Sequence, residues 1–294
     1  MLLWDVITRQ ISANTGKIFE IDDREEIGGG CINRSMVLHG CDDRRYFLKL
    51  NEAVRLSMFE AESDGLLELA RAQAVRVPQP VCAGSAAGQA FLIMEYLELA
   101  HDREPAQELL GRQLATLHRV TAPRFGWHRD NTIGSTPQIN RWGNDWIEFY
   151  RECRLRPQLA LAVAGGNASL QSLGAELLER LPALFAGYHP IASLLHGDLW
   201  GGNAAVTTTG IPVIFDPAVY FGDREADLAL TELFGGFSAR FYSAYDDHWP
   251  LDHGYSVRKM LYNLYHVLNH WNLFGDSYAA QAMQMMQKLL SEIR

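Results

Sequence analysis

The hydrophobic pattern of this chain changes near Leu97, and this change constrains the fold more than any other feature. Before that residue, short apolar segments alternate with Gly- and Asp-containing turns, which is the pattern of β-strands. The predicted strands cover residues 27–38, 46–50 and 90–96. After Leu97, longer segments have the spacing of amphipathic helices. A small strand-rich lobe is therefore expected to precede a larger helical lobe.

One helix is expected inside the first lobe. Ser57-Met58-Phe59-Glu60 has the sequence of a capping box, which would start a helix that continues to Ala72. The helices predicted for the second lobe are 106–120, 144–163 with an interruption near Pro157, 169–186, 224–234, 256–274 and a last one at the end of the chain. The fold class is therefore α+β, with a small antiparallel-sheet lobe at 1–96 and a mainly helical lobe at 97–294.

The chain is acidic, with 26 Lys and Arg against 35 Asp and Glu and a formal net charge of −9. Proteins that bind nucleic acid or lie on anionic membranes carry basic surfaces, so we expect neither partner. No apolar run approaches the ~18 residues that a membrane helix needs. The cysteines are sparse and form no C-x-x-C pair, which favours a reducing cytoplasm and no zinc site. They are Cys31, Cys41, Cys82 and Cys153.

The polar segment HGDLWGGN at 196–203 follows a short predicted strand, residues 191–195. Within it, Asp198 and Asn203 have the spacing of the phosphotransfer loop H-x-D-x-x-x-x-N. That chemistry needs one carboxylate to accept the proton of an attacking hydroxyl and one amide oxygen to bind magnesium. A surface turn rich in Gly and Asp would explain the same residues equally well.

A second acid, Asp216, ends the next predicted strand, residues 211–215. Magnesium is usually bound through one or two carboxylates together with substrate phosphates, so Asp216 is a candidate second ligand, expected to face the same cleft as Asp198. A common Asp-Pro turn is the alternative. A protein kinase would have Asp-Phe-Gly here, whereas this chain has Asp216-Pro217-Ala218.

The first lobe contains groups that could bind phosphates. GGGCIN at 28–33 could bring backbone N–H groups close to them, although a tight hairpin explains this run equally well. Lys49 alternates with apolar residues in a strand, as a lysine on an edge strand also would. Glu62 shares the apolar face of the predicted helix, and a buried acid needs a cation. A Lys49–Glu62 pair would position the lysine on the α- and β-phosphates.

These motifs occur in the order Gly loop, Lys, Glu, Asp-x4-Asn and Asp, which indicates a kinase-like phosphotransferase. His-Gly-Asp replaces His-Arg-Asp, so the arginine that would contact a phosphorylated activation loop is missing. A small-molecule kinase with a two-lobed, protein-kinase-like fold is therefore favoured over a protein kinase.

The same residues resemble the fructosamine (ketosamine-3-) kinases, within the aminoglycoside-phosphotransferase and choline-kinase-like group. The resemblance covers nearly the whole chain, and the run at 125–159 and HGDLWGGN are its most specific parts. The matching motifs are GGGCIN at 28–33, FLKLN at 47–51, MFEAE at 58–62, LATLH at 114–118, FGWHRDNTIGSTPQINRWGNDWIEFYRECRLRPQL at 125–159, HGDLWGGN at 196–203, GDREADLALTELFGG at 222–236 and NHWNLFG at 269–275.

The resemblance implies transfer of the γ-phosphoryl group of ATP to the 3-hydroxyl of a sugar attached to an amine. The product then breaks down and releases the amine, so the activity amounts to deglycation. The implied roles are Asp198 as base, Asn203 and Asp216 as Mg²⁺ ligands, Lys49 with Glu62 and Gly28, Gly29, Gly30 and Cys31 around the phosphates, Met94, Glu95, Tyr96 and Leu97 around the adenine, and Asp227 as a brace of the catalytic loop.

The acceptor side is less defined by the sequence. Trp200 could stack on a sugar face, or it could fill the interface between the two lobes. His266 and His270 have the i, i+4 spacing of metal ligands, but there is no HExxH glutamate or cysteine beside them, so a zinc site is disfavoured. A polar stripe of Asn269, His270 and Asn272 that faces the substrate is expected instead, which makes His270 a candidate substrate residue, and a hydrogen-bonded core histidine is an equally good alternative.

Cys31 lies in the Gly loop, and the resemblance implies that a cysteine there can act as a redox switch, including a disulfide between two protomers. A small, inert residue is the alternative. The chain is expected to be a monomer or a homodimer, and the acceptor a ribulosamine or fructosamine, small or protein-bound. Two other readings stay open at this point: an aminoglycoside- or choline-type kinase, and a nucleotide-binding regulator without turnover.

Overall fold

The structure is a computed structural model that describes residues 2–28, 32–100, 104–165 and 169–293. The chain forms two compact units. Unit 1 comprises Met1–Ala106 and Ala205–Pro217, and unit 2 comprises Gln107–Ala204 and Ala218–Arg294. The division into lobes 1–96 and 97–294 stays a prediction. The compact units differ from it chiefly because residues 205–217 belong with the first unit.

Unit 1 is built on a five-stranded antiparallel sheet. Its strands are β1 (Ile21–Ile27), β2 (Arg34–Gly40), β3 (Arg45–Glu52), β4 (Pro80–Ala86) and β5 (Gln89–Glu95), in the spatial order β1-β2-β3-β5-β4. The central strand β3 pairs with β2 on one side and β5 on the other, so Lys49 lies in the middle of the sheet. The alternative of an edge-strand lysine is therefore wrong.

Two helices accompany this sheet, α1 (Leu3–Thr15) and α2 (Leu56–Arg71), and both pack against β4. The expectation of a single helix in the first lobe was wrong, although Leu3, Ile7 and Ile11 have helical spacing and are buried. The predicted capping box was also wrong. Helix α2 begins at Leu56, directly after a 3-10 turn at Ala53–Arg55, so Ser57 lies inside the helix rather than at its N-cap.

The segment of unit 1 at residues 205–217 contains most of a short two-stranded sheet. Its strands are Ala204–Val206 and Pro212–Ile214. Its hydrogen bonds tie it to the first hundred residues: the Val206 carbonyl accepts from the Ala100 amide, and the Ile214 amide donates to the Arg76 carbonyl. Because Asp216 follows this small sheet, these bonds place its backbone within unit 1.

Unit 2 is mainly helical. Its helices are α3 (Gln107–His118), α4 (Trp146–Tyr150), α5 (Arg156–Ala164), α6 (Ser169–Arg180), α7 (Glu225–Leu233), α8 (Ala239–His248), α9 (Tyr255–Phe274) and α10 (Ala279–Glu292). The remaining strands of the chain are β6 (Asn131–Ile133), β7 (Thr136–Gln138), β8 (Ser193–Leu195), β9 (Ala204–Val206), β10 (Pro212–Ile214) and β11 (Tyr220–Gly222). Helix α9 is buried along most of its length and packs against α5, α7 and α10.

Two helical predictions for this unit need correction. The helix expected at 144–163 is divided into α4, a π-helical turn at Arg151–Leu155 and α5. The turn widens the helix where the fully buried Arg154 guanidinium lies 4.0 Å from the ring centroid of Tyr220. The helix expected at 169–186 is also shorter than predicted, because α6 ends at Arg180 and a 3-10 turn follows it. Helix α8 was not predicted. No helix within the described ranges has the length and hydropathy of a membrane span.

Candidate active site

Lys49 is the centre of a buried ionic cluster in unit 1. Its Nζ donates to Glu62 Oε1 at 2.5 Å and to Asp216 Oδ1 at 2.6 Å. The Lys49 and Glu62 side chains are 5% and 11% exposed, whereas that of Asp216 is 44% exposed. The predicted Lys49–Glu62 pair is therefore present, and the contact with Asp216 adds a residue 167 positions away in the sequence.

The helix face that carries Glu62 explains why this carboxylate points inward. Phe59, Leu66 and Leu69 lie on the same face of α2 and are fully buried. Burial alone would lower the pKa of Lys49, but the negative charges of Asp216 and Glu62 outweigh it and raise that pKa. Burial raises the pKa of Glu62, and the negative charge of Asp216 adds to this effect, so that together they outweigh Lys49, which lowers that pKa.

Asp216 has an unusual backbone conformation, with φ of 58°. The left-handed region costs an ordinary L-residue roughly 1–2 kcal/mol, although aspartate tolerates it better than most. Such conformations concentrate at functional sites, where surrounding contacts maintain them. The ion pair with Lys49 is one such contact, and it fixes the carboxylate of Asp216 on the side of β3 that carries Lys49.

The loop at 196–203 in unit 2 is held by one buried acid, Asp227. Its carboxylate accepts from the His196 amide at 2.7 Å and from the Gly197 amide at 2.8 Å, and it lies 3.2 Å from His118 Nε2. Gly197 has φ of 81°, and a β-carbon there would lie 2.1 Å from the Ala218 carbonyl oxygen. Glycine is therefore required at this position, and the expected contact of Asp227 with the loop is confirmed.

Asp198 and Asn203 are joined within this loop. Asn203 Nδ2 donates to the Asp198 carbonyl at 2.9 Å, and it lies 3.3 Å from Asp198 Oδ2. In both contacts the nitrogen end of the Asn203 amide faces Asp198. Carboxylate and amide oxygens are hard donors of the kind that magnesium prefers, so the side chains of Asn203 and Asp216 fit that ion in chemistry.

Trp200 and His270 belong to a row of aromatic rings in unit 2. Trp200 is 41% exposed, and its ring centroid lies 6.2 Å from that of Phe234. The Phe234 ring is in turn 5.0 Å from His270, which also contacts Phe274 and Tyr278. His270 Nδ1 lies 2.8 Å from the His266 carbonyl oxygen, which orients the imidazole.

His266 lies one helical turn before His270 in α9 and is buried. Burial and the neighbouring His270 lower the pKa of His266 to about 3, so it is a neutral core histidine. No group of three or more His, Cys, Asp or Glu side chains suited to a metal occurs among the described residues.

The segment predicted to contact adenine begins with the last two residues of β5. Met94 is buried, while the Glu95 carboxylate forms an ion pair with Arg76 and the Tyr96 ring lies 4.6 Å from the Arg45 guanidinium carbon. Arg76 was not anticipated, since nothing in its sequence neighbourhood pairs it with Glu95. Leu97 directly follows this group.

Of the predicted Gly loop, only Gly28 lies inside the described ranges, together with Ile32 and Asn33. Gly28 follows β1, and Asn33 Oδ1 accepts from Asn51 Nδ2 at 2.7 Å. Gly29, Gly30 and Cys31, and with them the proposed redox switch, lie outside the described residues. The other cysteines, Cys41, Cys82 and Cys153, are free thiols.

Two solved structures resemble the whole chain in fold. One from Haemophilus somnus 129PT, provisionally named a fructosamine-3-kinase, has a TM-score of 0.89 and 28% identity, and the match covers 98% of this chain and 97% of the other. A thermostable variant of aminoglycoside phosphotransferase APH(4)-Ia, solved with AMP-PNP and hygromycin B, has a TM-score of 0.61 and 15% identity over 97% of both chains. The second likeness bears on fold alone, and it confirms the predicted kinase-like fold class.

Comparison of amino-acid sequences identifies the family more specifically than comparison of folds does. A Synechocystis sp. protein named as a probable ketoamine kinase is 47% identical over 98% of this chain and 97% of its own length. A chloroplastic protein-ribulosamine 3-kinase of Oryza sativa subsp. japonica is 42% identical over 97% of this chain and 84% of its own. The family model for fructosamine kinase matches residues 3–292. This chain therefore belongs to the fructosamine kinase family.

Proposed function

We propose that this protein transfers the γ-phosphoryl group of ATP to the 3-hydroxyl of a ketosamine, with Mg²⁺ as the metal ion. The family membership supports the reaction class, and the names of the relatives point to ribulosamines and related ketosamines as acceptors. The observation that carries the proposal is the Asp198–Asn203 pair, because a loop braced by Asp227 holds a carboxylate beside an amide in phosphotransfer spacing.

Each proposed role follows from a local geometry. Asp198 is the base that accepts the proton of the sugar hydroxyl. Asn203 and Asp216 are the magnesium ligands, and the ion would neutralise charge on the phosphates. Lys49, held by Glu62, binds the phosphate oxygens. Backbone groups of Gly28, Gly29, Gly30 and Cys31 are assigned to the phosphates, and those of Met94, Glu95, Tyr96 and Leu97 to the adenine.

We assign the sugar side to Trp200 and His270. Both rings belong to one aromatic row, and Trp200 lies two residues after the proposed base with much of its surface exposed. Exposed aromatic faces suit the apolar face of a sugar ring. The sparse cysteines, three of them free thiols, support a reducing cytoplasmic compartment for the reaction.

A panel of acceptors tests the function. ATP consumption is measured with ribulose-lysine, fructose-lysine, kanamycin and choline, with Asp198→Ala as the control that lacks the proposed base. We expect turnover with one or both ketosamines and little with kanamycin or choline. Turnover with kanamycin or choline alone would replace this proposal by an aminoglycoside- or choline-type kinase. Binding of ATP without turnover of any acceptor would favour a regulator.

Lys49→Met should lower kcat/KM for ATP about 10–100-fold, because a hydrogen bond to a charged group contributes roughly 1.5–3 kcal/mol. Steady-state kinetics with a ketosamine acceptor measures the change. The matched control is Lys259→Met, since Lys259 also pairs with an acid, Glu232, at 2.5 Å. Equal kinetics for the two variants would contradict the role of Lys49.

A further inference from the structure

Two backbone segments of unit 2 touch without intervening side chains: Gly201 and the pair Gly235-Gly236 that follows α7. A β-carbon on Gly201 would lie 2.9 Å from the Gly235 carbonyl oxygen and 3.1 Å from Gly236 Cα. A β-carbon on Gly236 would lie 2.8 Å from Gly201 Cα. Because both obstacles are backbone atoms, any side chain at Gly201 or Gly236 would displace one segment from the other.

Gly201 starts the turn that carries Asn203. The turn at Gly201–Asn203 is 3-10 helical and is closed by the backbone N–H of Asn203, which donates to the Trp200 carbonyl at 2.9 Å. A β-carbon on the intervening Gly202 would lie 2.2 Å from a ring carbon of Trp200, so that ring covers the turn. The position of this turn therefore determines where the side-chain amide of Asn203 and the ring of Trp200 lie relative to Asp198.

Helix α7 meets the catalytic loop at two places. Near its N-terminus, Asp227 accepts hydrogen bonds from the His196 and Gly197 amides. Beyond its C-terminus, Gly235 and Gly236 contact Gly201. The two contacts lie on either side of Asp198 in the loop sequence. A rigid helix that contacts both sides of a loop can hold a precise spacing between them.

We propose that Gly201 and Gly236 are positioning residues for phosphotransfer. Their backbone contact fixes the Asn203 turn against the loop that Asp227 holds, and this sets the metal-binding amide at its working distance from the base. This inference rests on the proposed function, in which Asn203 is a magnesium ligand. Substitution of a residue that holds a metal ligand in place, without binding the metal itself, commonly lowers metal affinity or activity about 10–100-fold.

The chain contains a matched control for backbone strain. Gly187 and Gly236 both have positive φ, 76° and 99°, so alanine is unfavourable at either position. Apart from its chain neighbours, no described atom lies within 4 Å of a β-carbon on Gly187, whereas a β-carbon on Gly236 meets Gly201. Gly187→Ala therefore adds strain without the clash. Gly201→Ala adds the clash without strain, because Gly201 has no positive φ.

The test measures Mn²⁺ affinity in the presence of AMP-PNP by electron paramagnetic resonance, and kcat with a ketosamine. For Gly201→Ala and Gly236→Ala we expect Mn²⁺ binding at least about tenfold weaker and a similar loss of kcat. Asn203→Ala should weaken Mn²⁺ binding at least as much. Gly187→Ala should stay within about twofold of the wild type for both readouts, although it costs some stability. The double variant Gly201→Ala/Gly236→Ala should lose less than the product of the single losses, because both remove one contact.

The inference is overturned if Gly201→Ala and Gly236→Ala bind Mn²⁺ as Gly187→Ala does, or if Asn203→Ala leaves Mn²⁺ affinity unchanged. If Gly236→Ala does not fold, Gly201→Ala decides alone. Ketosamine turnover by the wild type separates the two proposals. Its absence would end the proposed function, while the Mn²⁺ affinities, which need no acceptor, would still judge the inference.

Discussion

Asp198→Asn should lower kcat by about 10²–10⁴-fold, the usual contribution of a positioned general base. Asparagine has nearly the shape of aspartate but cannot accept a proton. The Asp198 carbonyl, which accepts from Asn203 Nδ2 at 2.9 Å, is unchanged by the substitution, so the loop should keep its conformation. We therefore expect the KM for ATP and the unfolding midpoint to stay close to those of the wild type.

Rapid-quench measurement of phosphoryl transfer to a ketosamine gives the change directly. Asp246→Asn is the matched control, because Asp246 is an exposed acid in the same unit whose carboxylate accepts from the Leu251 backbone amide at 2.9 Å. A variant at Asp198 that kept more than about a tenth of the wild-type kcat would show that another group, or water, takes the proton.

The contacts that sequence reasoning found are those with a local or periodic signal. The face of α2 predicted that Glu62 points inward, and its pairing with Lys49 followed because a buried acid needs a cation. The Asp198–Asn203 spacing lies within one loop, so its geometry is encoded by neighbouring residues. The same kind of signal existed for α1, where the positions of Leu3, Ile7 and Ile11 were overlooked.

The contacts that it missed are formed by residues far apart in the chain. Lys49 meets Asp216 because residues 205–217 belong to unit 1, and no local pattern encodes that. Gly201 and Gly236 are ordinary turn residues in the sequence, and only the packing of α7 explains why neither can carry a side chain. The start of α2 was misplaced because a 3-10 turn, rather than a side-chain cap, leads into it.

Asp227→Ala should lower the free energy of unfolding by about 3–5 kcal/mol, the usual cost of removing one partner from a buried charged network. Asp227 is 1% exposed. Burial alone would raise its pKa, but the hydrogen bond to His118, the neighbouring histidines and the Gly197 amide lower it, so the carboxylate stays charged. Alanine would leave the buried amides of His196 and Gly197 without this acceptor.

Urea unfolding measures the stability, and kcat of the folded fraction measures the effect on the catalytic loop. Asp227→Asn is the informative comparison. The asparagine oxygen can accept from one of the two loop amides, while its NH₂ group would face the N–H of the other. It should therefore lose less stability than alanine, yet still lower kcat, since Asp198 follows directly after the amide that loses its acceptor. If Asp227→Ala cost less than about 1 kcal/mol, or if both variants kept wild-type kcat, the loop would be held by its other contacts and Asp227 would not be its brace.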